Sequence, residues 1–527
     1  MSEPAFFSII PPLVAIVLAI TTRQVFISLF LGIWMGWCVH IADFSQVADM
    51  SHTIASSVNV SLGGSVVMAI IMVLSFIIWL FKIFLFGLVE ALEACVNVFA
   101  DGGNTKVIIF SAMVGALITF TQYSGGMEGF VSWVTEKRLV KNRMGAQILA
   151  WITGLVIFIE SSICVLITGA VARPLFDKLK ISREKLAYIA DSTSAPKCVI
   201  FPFNAWGAFI IMLLAGQGIT YPAKAMFGSI FFNFYAWLAI LIVLLTILFD
   251  RDFGPMAKAE TRVRDQGKLL SDGAEPVVST EVITVEKKRG IPARMRNMLI
   301  PIFILVIMMP IGLYITGLSK LLAKSEPILS YWSILDIIME GSGSTAVFWA
   351  VLAALIFGGI IYKFQRLMTL RELMDQFMKG VGGLMPLAIL MMLAFAMGST
   401  CKILGTGIYV ARIAETWLIP QLIPAVLFLV SCFIAFSTGT SWGTFAIMIP
   451  IAIPIVNLLD LPLELIVATV LGGGVFGDHC SPISDTTMIA SMAAATDHID
   501  HVRTQIPYAF AAAGFALIIY LVIGLFI

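Results

Sequence analysis

The sequence contains little charge and none of the common catalytic signatures. Only 12% of its 527 residues are charged and 59% are hydrophobic, whereas a soluble domain carries about 25% charged residues. This composition excludes a soluble fold, and the formal net charge of +1 gives no indication of a nucleic-acid partner. The sequence has no HExxH zinc pair, GxxxxGK[ST] phosphate loop or nucleophile elbow, which disfavours an intramembrane enzyme and an ATP-driven pump.

Cysteine is scarce and shows no paired spacing. The seven residues are scattered, mostly within apolar runs: Cys38, Cys95, Cys164, Cys198, Cys401, Cys432 and Cys480. An odd number without a CxxC pair is not typical of a disulfide or zinc framework. We therefore expect them to be small core residues.

Apolar runs are abundant from Phe6 to Ile527. Many approach the roughly 20 residues that cross a ~30 Å hydrocarbon core, and they lack the strict alternation of barrel strands. The predicted fold is an all-α polytopic membrane protein with about eleven transmembrane helices and two re-entrant hairpins. The run from Phe6 to Ile20 lacks a basic flank and a cleavage pattern, so residues 1–24 are predicted to form an extra, retained helix.

One long polar stretch divides the chain. Residues 250–296 are rich in Lys, Arg, Asp and Glu and separate a first repeat, 25–249, from a second, 297–527. The positive-inside rule predicts that this linker is cytoplasmic. Mixed charge of this kind is typical of a solvated segment, and a regulatory role is left open.

The two halves resemble each other in register. An offset of 279 aligns Gly126 with Gly405, and an offset of 278 aligns Phe158 with Phe436. Matching glycine and hydroxyl positions accompany these pairs. We interpret the similarity as an internal duplication.

Charge predicts that the two copies are inverted. The basic turns 136–143 and 173–185 of the first copy should be cytoplasmic, whereas the matching turns 417–424 and 452–464 contain no Lys or Arg. The segment between the basic turns, 145–172, is too short for two spans and predicts a re-entrant hairpin. Its counterpart, 421–452, should enter from the opposite face. This topology places the N-terminus in the cytoplasm and the C-terminus outside.

Each predicted hairpin is followed by an apolar segment that polar residues interrupt. Proline opens the helix in both segments, at 190–196 and at 477–487. The freed carbonyls and the neighbouring hydroxyls can replace the hydration shell of a small cation. A charge at the bilayer centre costs roughly 2.5 to 3.5 kcal/mol on insertion scales, so aspartates at these breaks need a compensating role.

These breaks supply the predicted ion ligands, which are acidic and hydroxyl residues: Asp191, Ser192, Thr193, Ser194, Asp478, Ser481, Ser484, Asp485 and Thr486. We expect Na⁺ at Asp478 and Asp485, with a second site at Asp191. The alternative is that the aspartates cap the breaks or, for Asp191, pair with Lys197. His479 is either a proton site or a hydrogen-bonded structural residue.

A further set is predicted to line the cavity, at the hairpin tips and near other breaks: Glu160, Ser161, Ser162, Thr438, Thr440, Ser441, Asn204 and Lys402. Glu160 is either a proton carrier or the partner of a buried base. Asn204 and Lys402 would meet a carboxylate or amide substrate, or would equally satisfy a free backbone carbonyl. Gln122 presents the same two alternatives.

The polar run from Gly477 to Thr487 closely resembles the signature of the NhaC-type Na⁺/H⁺ antiporter family. The Asp191–Pro196 run, followed by Asn204–Phe209, is similar to the first-half motif of that family. This resemblance implies membership of the ion transporter superfamily, with inverted repeats, paired hairpins and a sodium-dependent mechanism. Members differ in cargo, which ranges from Na⁺ and H⁺ alone to organic acids or amino acids.

The function predicted from the sequence is secondary active, cation-coupled antiport of Na⁺, H⁺ or both by alternating access, in the cytoplasmic (inner) membrane. The alternative is Na⁺-coupled transport of an organic acid or amino acid. A channel is a further rival, but it would need a continuous lined pore, whereas paired hairpins and broken helices that meet at the midplane suit alternating access. We expect no cofactor beyond the coupling ions. The expected partners are Na⁺, H⁺, a small organic solute in the alternative case, and the lipid bilayer, while a homodimer is an option that the sequence leaves open.

Overall fold

The computed structural model describes residues 6–22, 24–42, 65–136, 142–156, 161–276, 287–323, 334–417, 419–482 and 484–527. The helices up to the linker are α1 (Ile10–Thr22), α2 (Val25–Ile41), α3 (Ser65–Asn97), α4 (Gly102–Tyr123), α5 (Gly126–Glu136), α6 (Arg143–Val156), α7 (Ser161–Lys178), α8 (Arg183–Ser192), α9 (Ala195–Ile200), α10 (Ala205–Gly216), α11 (Pro222–Phe232), α12 (Phe234–Phe249) and α13 (Gly254–Gln266). The later helices are α14 (Arg296–Ala323), α15 (Ile334–Met339), α16 (Gly343–Phe364), α17 (Leu370–Gly383), α18 (Met385–Ile403), α19 (Thr406–Trp417), α20 (Ile423–Thr438), α21 (Ser441–Leu459), α22 (Leu463–Cys480), α23 (Asp485–Ala494) and α24 (His498–Gly524).

The described ranges contain many apolar helices of membrane-spanning length, and their count includes both arms of the second predicted hairpin, Pro420–Thr438 and Ser441–Leu459. Within the described ranges, ten helices are long and apolar enough to cross a membrane. The count reaches eleven when Arg183–Ile200 and Ala205–Gly216, which meet at a 40° bend, are taken as one broken span. The prediction of an all-α polytopic membrane protein is confirmed. All seven cysteines are buried and free, as expected of core residues.

The internal repeat is visible in two matching helix breaks. Helix α4 gives way to α5 at Gly125, whose φ is +69°, and α18 gives way to α19 at Gly405, whose φ is +66°. Glycine occupies this left-handed region without a steric penalty, which explains its place at both breaks. Gly405 is therefore the structural equivalent of Gly125, not of Gly126 as the sequence offset suggested. The structural register differs from the predicted one by one residue, because the break is defined by the residue in the left-handed conformation and not by side-chain similarity.

Helices α6 and α7 form the first hairpin. The Cys164 thiol donates to the Gly154 carbonyl oxygen at 3.0 Å across the tip. Farther from the tip, Ala146 of α6 and Ala172 and Phe176 of α7 share one buried cluster. The two arms therefore run antiparallel, and residues 157–160 between them lie outside the described part of the chain.

Helices α20 and α21 form the second hairpin, which turns at Gly439 with φ +69°. Gly473 and Gly477 of α22 leave no room for a Cβ against Phe428 and Phe436 of α20, so α20 runs parallel to α22. The connection through 460–462 turns α21 antiparallel to α22. Both arms pass the length and apolarity test for a span, but their tip meets α22 near the break that follows it. The hairpin therefore turns inside the protein.

The closing helix shows that the hairpins enter from opposite faces. Helix α24 has 27 residues and extends about 40 Å at ~1.5 Å per residue. Its beginning contacts the linker, where Asp500 accepts from Ser271, and its end at Gly524 packs on Gln421 at the mouth of the second hairpin. The first hairpin opens on the linker side, because Arg143 at its start pairs with Glu260 of α13.

The two broken spans cross in opposite directions. Arg183 at the start of α8 donates to the Ala495 carbonyl after the end of α23 at 3.0 Å. Ser192 at the end of α8 contacts His479, which precedes α23. Helix α8 thus runs antiparallel to the α22–α23 span, as an inverted repeat requires.

The linker packs on the first half through α13. Arg262 donates to the buried Glu184 carboxylate at 2.8 and 3.1 Å. Glu260 accepts from the Ser182 amide at 2.9 Å and pairs with Arg143. Part of the segment predicted as a solvated linker is therefore a packed element that joins the first hairpin to α8. Residues 277–286 of this linker lie outside the described ranges.

The second part of the linker holds the break between α4 and α5. Within 287–297, the Arg294 amide donates to the Gly125 carbonyl at 3.1 Å. The Asn297 side-chain amide donates to the Ser124 carbonyl at 2.9 Å. The Gly125 carbonyl also accepts from the Gly129 amide of α5 at 3.0 Å, so the linker adds a second hydrogen bond at the break.

An ion pair attaches the same part of the linker to α17. Lys288 lies 2.7 Å from the Glu372 carboxylate, and Glu372 forms a capping box with Thr369 at the start of α17. The hydrogen bond from Lys288, followed by that from the Thr369 amide, lowers the pKa of the Glu372 carboxyl to about 2 from 4.5. The carboxylate is therefore charged at any physiological pH.

Candidate functional site

Both predicted breaks are present, and both lie in the buried interior. Helix α8 ends at Ser192, and a two-residue turn precedes α9, which carries Pro196 in its first turn. Proline is favoured there because its missing N–H would be unpaired in any case. Helix α22 ends at Cys480, and Ser484 caps α23 by accepting from the Thr487 amide.

Asp478 is the centre of a buried cluster of hydroxyls. Its carboxylate is 1% exposed and accepts from Ser441 of the second hairpin at 2.5 Å and from Ser484 of the break at 2.6 Å. Thr486 lies farther from it, at 3.5 Å. The Thr487 hydroxyl donates to the Asp478 backbone carbonyl at 3.2 Å. The hairpin tip and the break therefore converge on one carboxylate.

Ser481 fastens the break to the same hairpin. Its hydroxyl donates to the Phe436 carbonyl of α20 at 2.7 Å. Thr438 at the hairpin tip bonds back to the Ile434 carbonyl of its own helix, and Thr440 precedes the first residue of α21. Within the described part of this hairpin tip, the Ser441 hydroxyl is the link to the Asp478 carboxylate.

Asp191 is the centre of a second buried cluster, built with the closing helix. The Gln505 side-chain amide donates to Asp191 Oδ2 at 2.7 Å and also to the His479 backbone carbonyl. His501 Nε2 lies 3.9 Å from the same carboxylate oxygen and 2.8 Å from Gln505 Oε1. Asp191, His501 and Gln505 all have 0% exposure.

His479 bridges the two breaks. Its Nε2 lies 2.8 Å from the Ser192 hydroxyl, and its Nδ1 lies 2.7 Å from the Tyr235 hydroxyl. The ring is thus held between α8 and α12, while the preceding residue, Asp478, turns toward the hairpin. Both ring nitrogens of His479 therefore have hydrogen-bond partners, as the structural alternative expects.

The first hairpin reaches the first break. Gly154 of α6 leaves no space for a Cβ against Thr193, and Lys197 donates to the Gly154 carbonyl and to Cys164 Sγ. Ser161 is buried at the start of α7. Glu160 and the side chain of Ser162 lie outside the described part of the chain, so their predicted roles stay predictions.

Three predicted residues satisfy backbone groups. Asn204 caps α10, accepting from the Gly207 amide and donating to carbonyls that α9 leaves free. Lys402 donates to the Gly216 carbonyl at the end of α10 at 3.0 Å. The Ser194 hydroxyl donates to the Asp191 carbonyl at 2.8 Å. Asp485 is the first residue of α23, and its side chain lies outside the described part.

The sequence interpretation missed Gln505, His501 and Ser491, which surround the Asp191 cluster. A signal for two of them was present, because His498, His501 and Gln505 recur at spacings of three and four and so share one helix face. A polar stripe at the start of an otherwise apolar helix is typical of a helix end at the membrane surface. Only the packing of α24 on α8 turns it inward.

The comparisons with known proteins agree with this architecture. The chain is 31% identical over 528 residues to an uncharacterised protein of Haemophilus influenzae, covering 98% of this chain and 91% of that protein. It is 30% identical over 131 residues to the malate-2H(+)/Na(+)-lactate antiporter of Bacillus subtilis, covering 22% and 28% of the two chains. The YdaH transporter of Alcanivorax borkumensis has a similar fold, with a TM-score of 0.50 at 13% identity, over 83% of this chain and 88% of that one.

The family assignment follows from a longer match. Residues 213–525 match the Na⁺/H⁺ antiporter family. The match begins within α10 and continues through α24, so it includes the second hairpin and the Asp478 break. It covers more than half of the chain, and the chain therefore belongs to the Na⁺/H⁺ antiporter family.

Proposed function

We propose that this secondary active antiporter binds Na⁺ at the Asp478 cluster and exchanges it for H⁺. The observation that carries the proposal is the buried Asp478 carboxylate, which accepts hydroxyl hydrogen bonds from both the second hairpin and the helix break. Oxygen ligands from an opened helix are the chemistry that transporters use for Na⁺. A lone carboxylate at this depth is costly, and a bound cation or a proton offsets that cost.

The same geometry supports alternating access. Ser441 belongs to the hairpin, whereas Ser484 belongs to the break, so an ion held between them joins two separate elements. When Na⁺ leaves, the carboxylate takes a proton, and the hydroxyls are free to rearrange. The bound ion thus makes different contacts in the closed and open positions of the hairpin. A ligand shifts a conformational equilibrium only when its contacts differ between the two states.

Asp191 is proposed as the second, coupled carboxylate. The path between the two aspartates is short: Ser192 adjoins Asp191 and contacts the ring of His479, which adjoins Asp478. The charge of one carboxylate affects the other electrostatically, because the groups between them are buried and salt screens the interaction poorly. This arrangement supports an exchange in which the two sites differ in their occupancy by Na⁺ and H⁺.

The orientation in the inner membrane is part of the proposal. The linker face carries Arg143, Arg183 and the bases of α13, whereas the opposite face presents Gln421 and the turn at 460–462. The positive-inside rule then places the linker and the first hairpin mouth in the cytoplasm and the C-terminus outside.

Proteoliposomes that carry a pH-sensitive dye test the assignment of Asp478. An imposed Na⁺ gradient should drive proton movement with the wild-type protein, and Asp478→Asn should abolish it, because the amide cannot hold a charge in either exchange state. Asp460→Asn is the matched control, since Asp460 is an exposed residue with φ +50°, a conformation that asparagine also adopts. Full Na⁺-driven proton movement by Asp478→Asn would place the ion elsewhere.

An organic acid is the second candidate for the cargo. Its support is the identity of 30% over 131 residues with the malate-2H(+)/Na(+)-lactate antiporter. Counterflow of labelled malate and lactate into proteoliposomes, with and without a Na⁺ gradient, decides this point. Uptake that saturates and requires Na⁺ supports an organic cargo, and uptake equal to that of protein-free vesicles contradicts it.

A further inference from the structure

A hydrogen-bonded chain leads from the partly exposed start of α24 to the buried Asp191. His498 contacts the Ser491 hydroxyl through Nδ1 at 3.0 Å, and Ser491 contacts His501 Nδ1 at 2.9 Å. His501 then reaches Gln505, which donates to Asp191. His498 is the partly exposed member of this chain, whereas the others are fully buried.

The acceptors at one end of the chain fix the tautomer of His501. The two hydrogens of the Gln505 amide nitrogen go to the Asp191 carboxylate and the His479 carbonyl, both of which only accept. Gln505 Oε1 therefore faces His501 Nε2, which must carry a hydrogen and donate. In a neutral His501, Nδ1 is then an acceptor.

The same reasoning applies to His498. Its Nε2 lies 2.7 Å from the Pro482 carbonyl oxygen, which only accepts, so this nitrogen carries a hydrogen. In a neutral His498, Nδ1 is then an acceptor that faces the Ser491 hydroxyl. Ser491 also lies 2.9 Å from a third acceptor, the Thr487 carbonyl.

Three acceptors thus compete for the single hydrogen of Ser491 while both imidazoles are neutral. A proton added to His498 converts its Nδ1 into a donor, which the free lone pairs of the Ser491 oxygen can accept. The Ser491 hydrogen is then available to His501 or to the Thr487 carbonyl. Protonation of His498 thus adds a hydrogen to a pocket in which acceptors outnumber donors.

From this hydrogen count we infer that His498 and Ser491 form a proton-binding site, which exchanges protons with water and relays them through Ser491 to His501. The relay role rests on the proposed Na⁺/H⁺ exchange, whereas the proton site itself does not. No bond between heavy atoms forms or breaks. A proton enters at His498, the Nδ1 hydrogen of His498 passes to Ser491, and the Ser491 hydrogen passes to His501 Nδ1. The amide hydrogens of Gln505 stay in place, and the charged His501 ring then lies 3.9 Å from the Asp191 carboxylate.

Charged groups lie on the elements that pack near the start of α24. On its own helix, Asp497 accepts from the amides of Ile499 and Asp500, and from the linker the Glu275 amide also donates to Asp497. Arg183 of α8 approaches from the other side, donating to the Ala495 carbonyl and pairing with Asp177. The side chain of Asp485, at the start of α23, lies outside the described part.

Ring-nitrogen NMR tests the proton site without any transport measurement. The chain has five histidines, so ¹⁵N-histidine labelling in nanodiscs gives few signals, and His498→Gln assigns the one of interest. At pH 7 the ratio of imidazolium to imidazole at His498 should fall about tenfold in Ser491→Ala, because the charged donor loses its acceptor. An unchanged ratio in Ser491→Ala would overturn the site.

The relay is tested by Na⁺-driven proton movement in proteoliposomes between pH 6 and pH 8.5. His498→Gln should reduce the rate about tenfold at the alkaline end, where protons are scarce, while leaving Na⁺ binding intact. His40→Gln, at the exposed end of α2, is the control and should behave as wild type. A wild-type profile for His498→Gln contradicts the relay, and a wild-type protein that moves no protons contradicts the proposed function while the NMR result still decides the site.

Discussion

Gln505 shows how much of the site depends on one side chain. Its amide joins α24 to the Asp191 carboxylate of α8 and to the carbonyl of His479, and its oxygen accepts from His501. No other residue type offers two donors and an acceptor on a stem of this length. The residue therefore determines both the position of the carboxylate and the tautomer of the histidine.

Replacing Gln505 with leucine should inactivate the transporter and destabilise it. The substitution leaves buried groups of Asp191, His479 and His501 without this partner, at about 1 to 3 kcal/mol for each unsatisfied group. We expect a lower midpoint of thermal unfolding in detergent and loss of Na⁺-driven proton movement. Gln266→Leu, at the exposed end of α13, is the control, and a Gln505→Leu protein with unaltered stability and rate would show that the network is dispensable.

Between helices, the hairpins contact the broken spans where two backbones approach each other closely. Gly154 lets the first hairpin lie on Thr193, and Gly477 lets α22 lie on Phe436 of the second hairpin. Each contact pairs a hairpin arm with a broken span, and each depends on a missing Cβ. The pseudo-symmetric halves thus use the same device, with the glycine on the hairpin in one and on the broken span in the other.

Gly154→Ala should displace the first hairpin and slow transport by at least tenfold, because the new Cβ overlaps the Thr193 side chain. The second substitution Thr193→Gly removes that side chain and should restore part of the rate. Initial rates in proteoliposomes measure both effects. Gly514→Ala, which meets no neighbour within 4 Å, is the control, and failure of the double variant to recover any activity would argue against a steric cause.

Helix α13 acts as a clamp between the first hairpin and α8. Glu184 of α8 is 1% exposed and pairs with Arg262 of α13, whereas Arg264 of α13 pairs with Asp250 at the end of α12, and both side chains of that pair are 59% exposed. Exposed pairs contribute about 0 to 1 kcal/mol, but removing one partner of a buried pair costs roughly 3 to 5 kcal/mol. Arg262 and Arg264 therefore allow a buried and an exposed ion pair of the same helix to be compared.

Arg262→Gln should lower the midpoint of thermal unfolding markedly, because it leaves the Glu184 carboxylate buried without its cation. Arg264→Gln should change the midpoint little. Both variants are measured in the same detergent at the same salt concentration. Equal effects of the two substitutions would mean that α13 is held by its apolar contacts and not by the ion pair.

For the whole molecule, the sequence predicted the fold and the broken segments but not the contacts that complete the site. Asp191 and Asp478 stood out because charges within apolar runs are costly and rare. The predicted register of the repeat was wrong by one residue at Gly125, because side-chain similarity does not indicate the backbone angle φ. Gln505 and Glu184 were missed because their partners lie 314 and 78 residues away, and no local pattern encodes such a pairing.

The inverted topology makes a prediction for labelling across the membrane. Cysteine introduced at Lys180, in the turn beside α13, should be protected from an impermeant reagent applied outside, whereas cysteine at Gln421 or Asp460 should react. Lys141, which lies outside the described residues, should behave as Lys180. Labelling is done in intact cells on a background in which the seven buried cysteines are blocked or replaced. Equal labelling at all four positions would contradict opposed hairpins.

The last prediction separates ion ligation from helix capping at the second break. Ser484 already caps α23 through the Thr487 amide, so Asp485 at the first helical position is not needed as the cap. An acidic residue there gains only about 0.3 to 1 kcal/mol from the helix dipole. Asp485→Asn keeps the shape and removes the charge, so it should leave the protein folded.

We expect Asp485→Asn to abolish Na⁺-dependent transport, as Asp478→Asn does, and Asp191→Asn to weaken it less if the two halves hold separate sites. Thermal unfolding shows whether each variant is folded, and a Na⁺-dependent shift of the midpoint reports binding without transport. A folded Asp485→Asn protein with wild-type Na⁺ dependence would show that this carboxylate serves the helix end alone. The ion would then depend on Asp478, whose carboxylate accepts from Ser441 and Ser484.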